Sequence, residues 1–239
     1  STSDLEILAI DPSPDEIYKD EHGNKVIYWS NLSSGHIYSI EFKIKLNKNR
    51  HNISSKKYDF SYNKDSDIYK KYTESNQRIQ SEDNRIKTIA NEINHEEEDP
   101  YLKVENIVRW INNNLSYGEG SRDALSVIKY GNSDCAGFAN AFVALARASG
   151  IPARIISVLH PLNRTEFQSG KLFDTLGAHI IAEFYLQSYG WVEIDPGDRY
   201  TIGDIPYFYI VMTRGSFEKF KNMEYDYEDK FFHLPQSNF

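Results

Sequence analysis

The hydrophobic periodicity of this chain changes twice, and the order of the changes restricts the folds that it can adopt. Over residues 38–46 every even position is apolar and the positions between are polar, which predicts a strand with one buried face. Helical spacing follows after residue 63. Strand-like segments then return at residues 153–159, 178–186, 191–195 and 207–213. Strands, then helices, then antiparallel strands predict an α+β fold.

The segment before the helices is predicted to be a small β-rich accessory region over residues 1–65. Residues 1–25 contain two prolines and many charges, so we expect an irregular lead-in there. Residues 26–32 and 56–62 are candidate neighbours of the alternating strand. Residues 66–239 are then predicted to form the main domain, since that length supports its own core.

The central helices are predicted from apolar stripes and from the residues that end them. Residues 79–93 carry one stripe, and a short helix over residues 122–129 is ended by Gly131. Another helix is predicted over residues 134–148, because Gly150 and a proline follow it. The clearest stripe has the spacing i, i+3, i+4, i+7 and i+11, with Pro100 near its start: Val104, Ile107, Val108, Ile111 and Leu115.

Charge and composition exclude several classes of function. The net charge of −8, from 27 basic and 35 acidic side chains, gives no basic footprint for nucleic acid. The longest apolar runs hold about six residues, far below the roughly 20 that span a bilayer, so we expect no membrane insertion. A single cysteine forms neither an internal disulfide nor a multi-thiolate zinc site. EF-hand spacing and His-Glu-x-x-His are both absent, and no metal or cofactor is predicted.

Cys135 lies at the predicted start of the helix over residues 134–148. Gly131 and three cap-type residues precede it, which places the thiol in the first helical turn. Unpaired backbone N–H groups and the positive end of the helix dipole stabilise a thiolate there. The same N–H groups can hold the oxyanion of a tetrahedral intermediate. A free cysteine is also among the most buried residue types, so the position alone leaves a structural role open.

His179 differs from the other histidines of the chain because it lies inside an apolar, strand-like segment. His22, His36, His51 and His95 are predicted to be solvated, and His160 to open a polar loop over residues 160–175. A lone histidine in a strand is more often a core or edge residue than a catalytic one. Its neighbour in the fold therefore decides the interpretation.

Asp195 is the predicted neighbour of His179. Tyr189 and Gly190 provide a turn, after which residues 191–195 return as a second strand. In an antiparallel hairpin turning near Ser188, positions 179 and 195 fall opposite each other to within about two residues. Asp195 can then orient the imidazole and stabilise its charged form, which is the logic of a nucleophile–base–orienter triad. Taken alone, Asp195 is more simply the cap of a strand end.

These segments, taken in order, resemble the transglutaminase-like superfamily. The resemblance rests on the cysteine turn that opens a helix, on Arg-Ala-Ser-Gly-Ile-Pro-Ala-Arg at residues 147–154, on the strand histidine, and on Gly-Trp-Val-Glu-Ile-Asp-Pro at residues 190–196. It implies a papain-like core, in which the helix bearing the cysteine packs on an antiparallel sheet bearing the histidine and the aspartate. It also implies Cys135 as nucleophile, His179 as general base and acid, and Asp195 as orienter.

Two positions depart from the family pattern, and one part of the site is not identified. Members often have a bulky aromatic residue after the cysteine and a tryptophan after the histidine, where this chain has Ala136 and Ile180. These changes alter the walls of the acyl tunnel, so the substrates of better-known members do not transfer. A second oxyanion donor is only guessed at: Tyr117, Tyr130 or Trp110.

Several functions remain open at this point. The leading hypothesis is an enzyme that attacks amide carbonyls of a protein or peptide through a thioester on Cys135. Water as acceptor gives a peptidase or deamidase, and an amine gives a cross-linking transferase; hydrolysis is favoured because nothing suggests a lysine channel. The alternative is a catalytically silent binding or assembly module, although such a module needs no intact triad. An arylamine acetyltransferase or a glycan amidase would use the same residue order, but no basic phosphate-binding cluster for an acyl-CoA is evident.

Overall fold

Two antiparallel strand pairs lie in the described amino-terminal part of the protein. Its structure, a computed structural model, describes residues 3–30, 35–46, 61–161, 176–197, 202–206 and 208–215. β1 (Ser3–Asp11) pairs with β4 (Ser39–Leu46), and β2 (Glu16–Lys19) pairs with β3 (Lys25–Tyr28). The alternating segment is therefore a strand, as predicted.

The expectation of an irregular lead-in over residues 1–25 is wrong. Most of this segment belongs to β1, β2 and the start of β3. β1 acquires its structure from a distant partner, because its first residue, Ser3, pairs with Leu46 of β4. The candidate strand over residues 26–32 is shorter, ending at Tyr28. The other candidate, over residues 56–62, lies mostly outside the described residues.

Five helices occupy the middle of the described chain, and local signals mark where they begin and end. They are α1 (Asp67–Thr73), α2 (Asn84–Ile93), α3 (Pro100–Asn114), α4 (Ala124–Tyr130) and α5 (Cys135–Ala148). Asp99 caps α3 through the backbone N–H of Tyr101, with Pro100 in the first turn. Gly131 ends α4 with a left-handed φ of 77°. α1 was not predicted, since its seven residues are too few to show a stripe and, unlike α4, it is not followed by a glycine.

The remaining strands form the sheet that carries the histidine. β7 (Ala153–Pro161), β8 (Leu176–Leu186), β9 (Gly190–Ile194) and β10 (Ile210–Arg214) are antiparallel, in the order β10-β7-β8-β9. Two short strands, β5 (Ser116–Tyr117) and β6 (Asn132–Ser133), form a parallel pair just before α5. This arrangement confirms the predicted α+β class with an antiparallel sheet.

α5 lies at the centre of the core. Its residues from position 136 to 147 are all buried, as expected for a helix that is apolar all round. It contacts α2, α3 and α4 on one side and β7 and β8 on the other. A second, smaller cluster covers the other side of the sheet, where Ile156 and Ile181 pack with Phe208 and Tyr209. No helix among the described residues has the length and apolar character needed to cross a membrane.

The β2–β3 hairpin contacts α1 and β10 through polar groups. The Asn24 side chain donates to the backbone oxygen of Arg214 and accepts from its N–H, both at 2.8 Å. His22 Nδ1 lies 3.1 Å from the hydroxyl of Tyr72 on α1. Residues from both ends of the described chain therefore meet at β10.

Candidate active site

The nucleophile candidate is placed by the start of α5. Asp134 is the N-cap, and its Oδ1 accepts from the backbone N–H groups of Ala136 at 3.0 Å and Gly137 at 3.3 Å. Cys135, the first helical residue, is half-buried. The sequence suggested several free N–H groups beside the thiol, but Asp134 occupies two of them. The N–H of Cys135 itself lies against the Tyr117 hydroxyl instead.

The β8–β9 hairpin brings His179 and Asp195 together. Ala182 of β8 lies opposite Ile194 of β9. His179 and Asp195 are each an odd number of residues from this pair, so both project on the same face of the sheet. The imidazole Nε2 lies 2.7 Å from Oδ2 of the Asp195 carboxylate, which is 2% exposed. This agrees with the sequence-based estimate that the two positions are opposite to within two residues.

The other side of the imidazole faces the thiol. Cys135 interacts with His179 as both a hydrogen-bond partner and a charge partner. Because Nε2 is bonded to Asp195, Nδ1 is the ring nitrogen left for the thiol. Burial lowers the pKa of His179, but the hydrogen bonds and charges of Asp195 and Cys135 outweigh this effect and raise the pKa to about 10. The geometry therefore favours an imidazolium between two acidic partners.

All three residues predicted from the sequence line one cavity of about 220 Å³. Its lining comprises Tyr117, Cys135, His160, His179, Asp195, Gly197 and Tyr209. Pockets for drug-sized ligands usually exceed about 300 Å³, so a space of this size suits one reacting group and its immediate neighbours. Among the described residues, no group of three or more His, Cys, Asp or Glu side chains is arranged to hold a metal ion.

Asp195 is held by more than the histidine. The buried Tyr209 hydroxyl donates to the same Oδ2 at 3.3 Å, and the Gly197 N–H donates to Oδ1 at 3.3 Å. The Tyr209 ring also packs against His179, with ring centroids 5.7 Å apart. These contacts satisfy a buried carboxylate and restrict rotation of the imidazole. Sequence reasoning missed Tyr209 and Gly197, although the position of Gly197 just after Asp195 and Pro196 was an available signal.

The structure also changes the interpretation of His160. The sequence placed it at the start of a loop, but it lies in β7, which extends to Pro161 because its last two residues pair with Leu176 and Gly177. The His160 ring is perpendicular to that of His179, with centroids 6.0 Å apart. The rest of the predicted loop, residues 162–175, lies outside the described residues.

Of the three guesses for a second oxyanion donor, Tyr117 lies in the cavity. It contacts both the N–H and the thiol of Cys135. Burial, followed by the charges of Cys135 and Asp134, raises the pKa of Tyr117, so its hydroxyl remains a donor at neutral pH. Tyr130 is 65% exposed, and Trp110 packs against the main core.

Residues 87–196 match the model of the Transglutaminase-like superfamily. An uncharacterised protein of Haemophilus influenzae is 32% identical in an alignment of 135 positions that covers 48% of this chain and 37% of that protein. The chain therefore spans well under half the length of this curated relative. The family resemblance inferred from the motifs is confirmed for this segment.

Two solved structures align with this chain. The structure of a candidate cysteine protease from Cytophaga hutchinsonii aligns with 90% of this chain and 71% of its own, with a TM-score of 0.56 and 18% identity. The periplasmic domain of TgpA from Pseudomonas aeruginosa aligns with 54% of this chain and 46% of its own, with a TM-score of 0.43 and 20% identity. The first similarity extends the shared fold beyond the segment that the family model matches.

Proposed function

Because residues 87–196 of this chain are a transglutaminase-like core, we propose that the protein is an enzyme that cleaves amide bonds through a thioester on Cys135. One observation carries the proposal. The half-buried thiol at the start of α5 shares a cavity with a histidine whose far nitrogen is 2.7 Å from a buried carboxylate. Cys135 would be the nucleophile, His179 the general acid and base, and Asp195 the orienter.

The first half-reaction forms the thioester. The thiolate attacks the carbonyl carbon, forming a C–S bond while the π electrons move to the oxygen. When the carbonyl re-forms, the C–N bond breaks, and the His179 imidazolium gives its proton to the leaving nitrogen. The amine or ammonia departs, and the acyl group remains on Cys135 beside a neutral imidazole.

The second half-reaction releases the acyl group to water. His179 takes a proton from the water while its oxygen attacks the thioester carbonyl. The C–S bond then breaks and the carboxylic acid leaves, which restores the thiolate and the imidazolium. We favour water over an amine as the acceptor, because no lysine channel is evident from the chain. An enzyme of this kind would act on a protein or peptide substrate.

Charge that develops on the carbonyl oxygen also needs donors. The Cys135 N–H is the helix-terminal donor that Asp134 leaves uncapped, and the Tyr117 hydroxyl lies against it. We assign these two groups to the oxyanion. Removing one such donor typically lowers kcat by about 100- to 1,000-fold.

The accessory and catalytic regions are proposed with a boundary between residues 65 and 66. In support, strands β1 to β4 all precede it and the first helix, α1, begins at Asp67. The hydrogen bonds of Asn24 to Arg214 mean that the two regions are in contact.

The test is the pH dependence of iodoacetamide alkylation at Cys135, the only cysteine. In the parent protein we expect fast alkylation that persists below pH 7, and in His179→Ala we expect it to be lost. His95→Ala is the matched control, since that side chain is 77% exposed. Slow alkylation with an ordinary thiol profile in both the parent and His179→Ala would contradict the proposal and favour the binding-module alternative.

The acceptor is decided by a second measurement. A peptide that contains glutamine, and so offers both a side-chain amide and backbone amide bonds, is incubated with and without a primary amine. The products are analysed by mass spectrometry. Hydrolysis alone supports the proposal as stated. Incorporation of the amine into the peptide would replace hydrolysis by acyl transfer.

A further inference from the structure

The residue before the nucleophile poses an electrostatic problem. Asp134 is required as the cap of α5, because its Oδ1 satisfies the N–H groups of Ala136 and Gly137. The same carboxylate is adjacent in sequence to Cys135, and a negative charge there opposes formation of a thiolate. The fold therefore places a charged helix cap directly before the residue proposed as nucleophile.

Arg122 faces the other oxygen of this carboxylate. Its Nε donates to Asp134 Oδ2 at 2.8 Å, and its Nη2 lies 2.7 Å from the same oxygen. The two oxygens of Asp134 thus have separate partners, the helix terminus and the guanidinium. Both side chains are about one-third exposed or less, at 32% for Arg122 and 28% for Asp134.

The position of Arg122 is determined by the fold and not by the ion pair alone. Its own carbonyl oxygen accepts from Asn140 Nδ2, in the second turn of α5, at 2.9 Å. The preceding residue, Ser121, accepts through its carbonyl from the Ser133 hydroxyl at 2.7 Å. Gly120 also fits closely, since a Cβ there would lie 2.5 Å from the carbonyl oxygen of Asn132. Hydrogen bonds and close packing therefore hold residues 118–123 against the start of α5.

We propose that Arg122 is a positioning residue whose charge offsets that of Asp134, so that the helix cap does not suppress the reactivity of Cys135. This inference deepens the proposed function and rests on it. Arg122 acts through Asp134, without contact to the substrate. A lysine at position 122 would retain the charge, whereas a glutamine would leave the carboxylate uncompensated.

The other titratable groups around the thiol are not substituted in the test. Those that line the cavity with Cys135 are Tyr117, His160, His179, Asp195 and Tyr209. Because no variant below changes any of them, a shift in reactivity reports on the pair of Arg122 and Asp134.

The experiment compares the pH midpoint of iodoacetamide alkylation in four variants and the parent. Arg122→Gln should move the midpoint up by about one pH unit, because Asp134 then acts alone. Asp134→Asn should move it down, since its amide oxygen still caps α5 while Arg122 stays charged. The double variant R122Q/D134N should return close to the parent, and Arg122→Lys should stay within about a third of the Arg122→Gln shift.

Salt gives an independent measurement on the same proteins. In Arg122→Gln the shift should shrink between low salt and about 0.5 M NaCl, because mobile ions screen a partly exposed charge. A merely structural role predicts the opposite pattern: shifts of the same sign in both single variants, a worse double variant, and no dependence on salt. That pattern would overturn the inference.

Failure of this inference is separable from failure of the proposed function. If Cys135 of the parent protein is alkylated rapidly below pH 7 and Arg122→Gln does not shift the pH midpoint, the proposed function is supported and the proposed role of Arg122 is rejected. If the parent has an ordinary thiol profile, the proposed function falls. Opposite shifts in the two single variants would then still establish charge compensation at Cys135. Thermal unfolding of each variant verifies that the comparison is made between folded proteins.

Discussion

His179 serves two acidic neighbours with two different nitrogens. Nε2 is hydrogen-bonded to Asp195, so Nδ1 is the nitrogen available to the Cys135 thiol. A carboxylate bonded at the far nitrogen fixes the tautomer of the ring and strengthens it as a base. The Tyr209 hydroxyl, bound to the same oxygen of Asp195, draws charge away from that carboxylate and limits the effect.

The raised pKa of His179 makes stability depend on pH. The folded pKa of about 10 lies above the value of roughly 6.5 expected for an unfolded chain. The folded state therefore holds more protons between these values, and the free energy of unfolding should fall as pH rises from about 6.5 to 10. The measurement is urea unfolding at intervals across this range.

His179→Gln isolates the contribution of this residue. Glutamine keeps a polar side chain but does not titrate, so the decline between pH 6.5 and 10 should be shallower than in the parent. Equal slopes in the two proteins would mean that other groups cause the decline, and that the imidazole carries no proton above pH 7.

The three site residues predicted from the sequence each have a local signal. Cys135 follows a glycine and cap-type residues, and His179 and Asp195 lie in two strands joined by a short turn. Tyr209 has no such signal. It reaches the site because β10 pairs with β7, and strand order in a sheet depends on contacts far apart in the chain.

At the scale of elements, the start of α5 depends on the absence of one side chain. A Cβ on Gly137 would lie 1.9 Å from the Ser133 hydroxyl oxygen and 2.9 Å from a methyl group of Val127. Ser133 cannot easily rotate away, because its hydroxyl donates to Ser121. Glycine at this position allows α4, β6 and α5 to approach one another closely.

Gly137→Ala should destabilise the protein although alanine is the better helix former. Helix propensity favours alanine by about 1 kcal/mol, whereas overpacking in a fixed environment costs roughly 1–3 kcal/mol. We expect a lower free energy of unfolding and slower alkylation of Cys135, both measured against the parent. Gly118→Ala is the matched control, because a Cβ there meets no atom within 4 Å.

For Gly118→Ala the expected change in unfolding free energy is within about 0.5 kcal/mol. If Gly137→Ala were equally neutral, the contact between α5 and Ser133 would be looser than described.

Elements with strong local signals were predicted, and some elements whose structure depends on distant partners were not. α3 and α5 have regular apolar spacing and recognisable caps, so their bounds fall within a few residues of the prediction. β1 and β2 are rich in charged residues and become strands only by pairing. The extension of β7 to His160 similarly depends on β8.

At the scale of the whole molecule, Asn24 connects the amino-terminal hairpin to the sheet that carries His179. Its amide bonds both the N–H and the carbonyl of Arg214, as a neighbouring strand would. Arg214 in turn lies 3.6 Å from the buried carboxylate of Glu183 on β8. The hairpin thereby supports a charged group within the sheet that bears His179.

Asn24→Ala should lower the free energy of unfolding by about 1–3 kcal/mol, because two backbone groups of Arg214 lose their partners. Urea unfolding monitored by tryptophan fluorescence measures this change. Asn112→Ala is the control: that exposed side chain donates to the carbonyl of Val108 in the same helix, so its loss should change stability by less than about 0.5 kcal/mol. Equal effects of the two substitutions would mean that the hairpin is not fastened to the sheet.

The chain order of Cys135, His179 and Asp195 determines the order in which these residues are made during translation. A ribosome adds roughly 5–20 residues per second, so the thiol is made several seconds before the β8–β9 hairpin that carries its partners. During this interval the nascent chain contains Cys135 but not yet His179. If Cys135 is the nucleophile proposed above, it therefore gains its general base only after residues 176–195 have been synthesised.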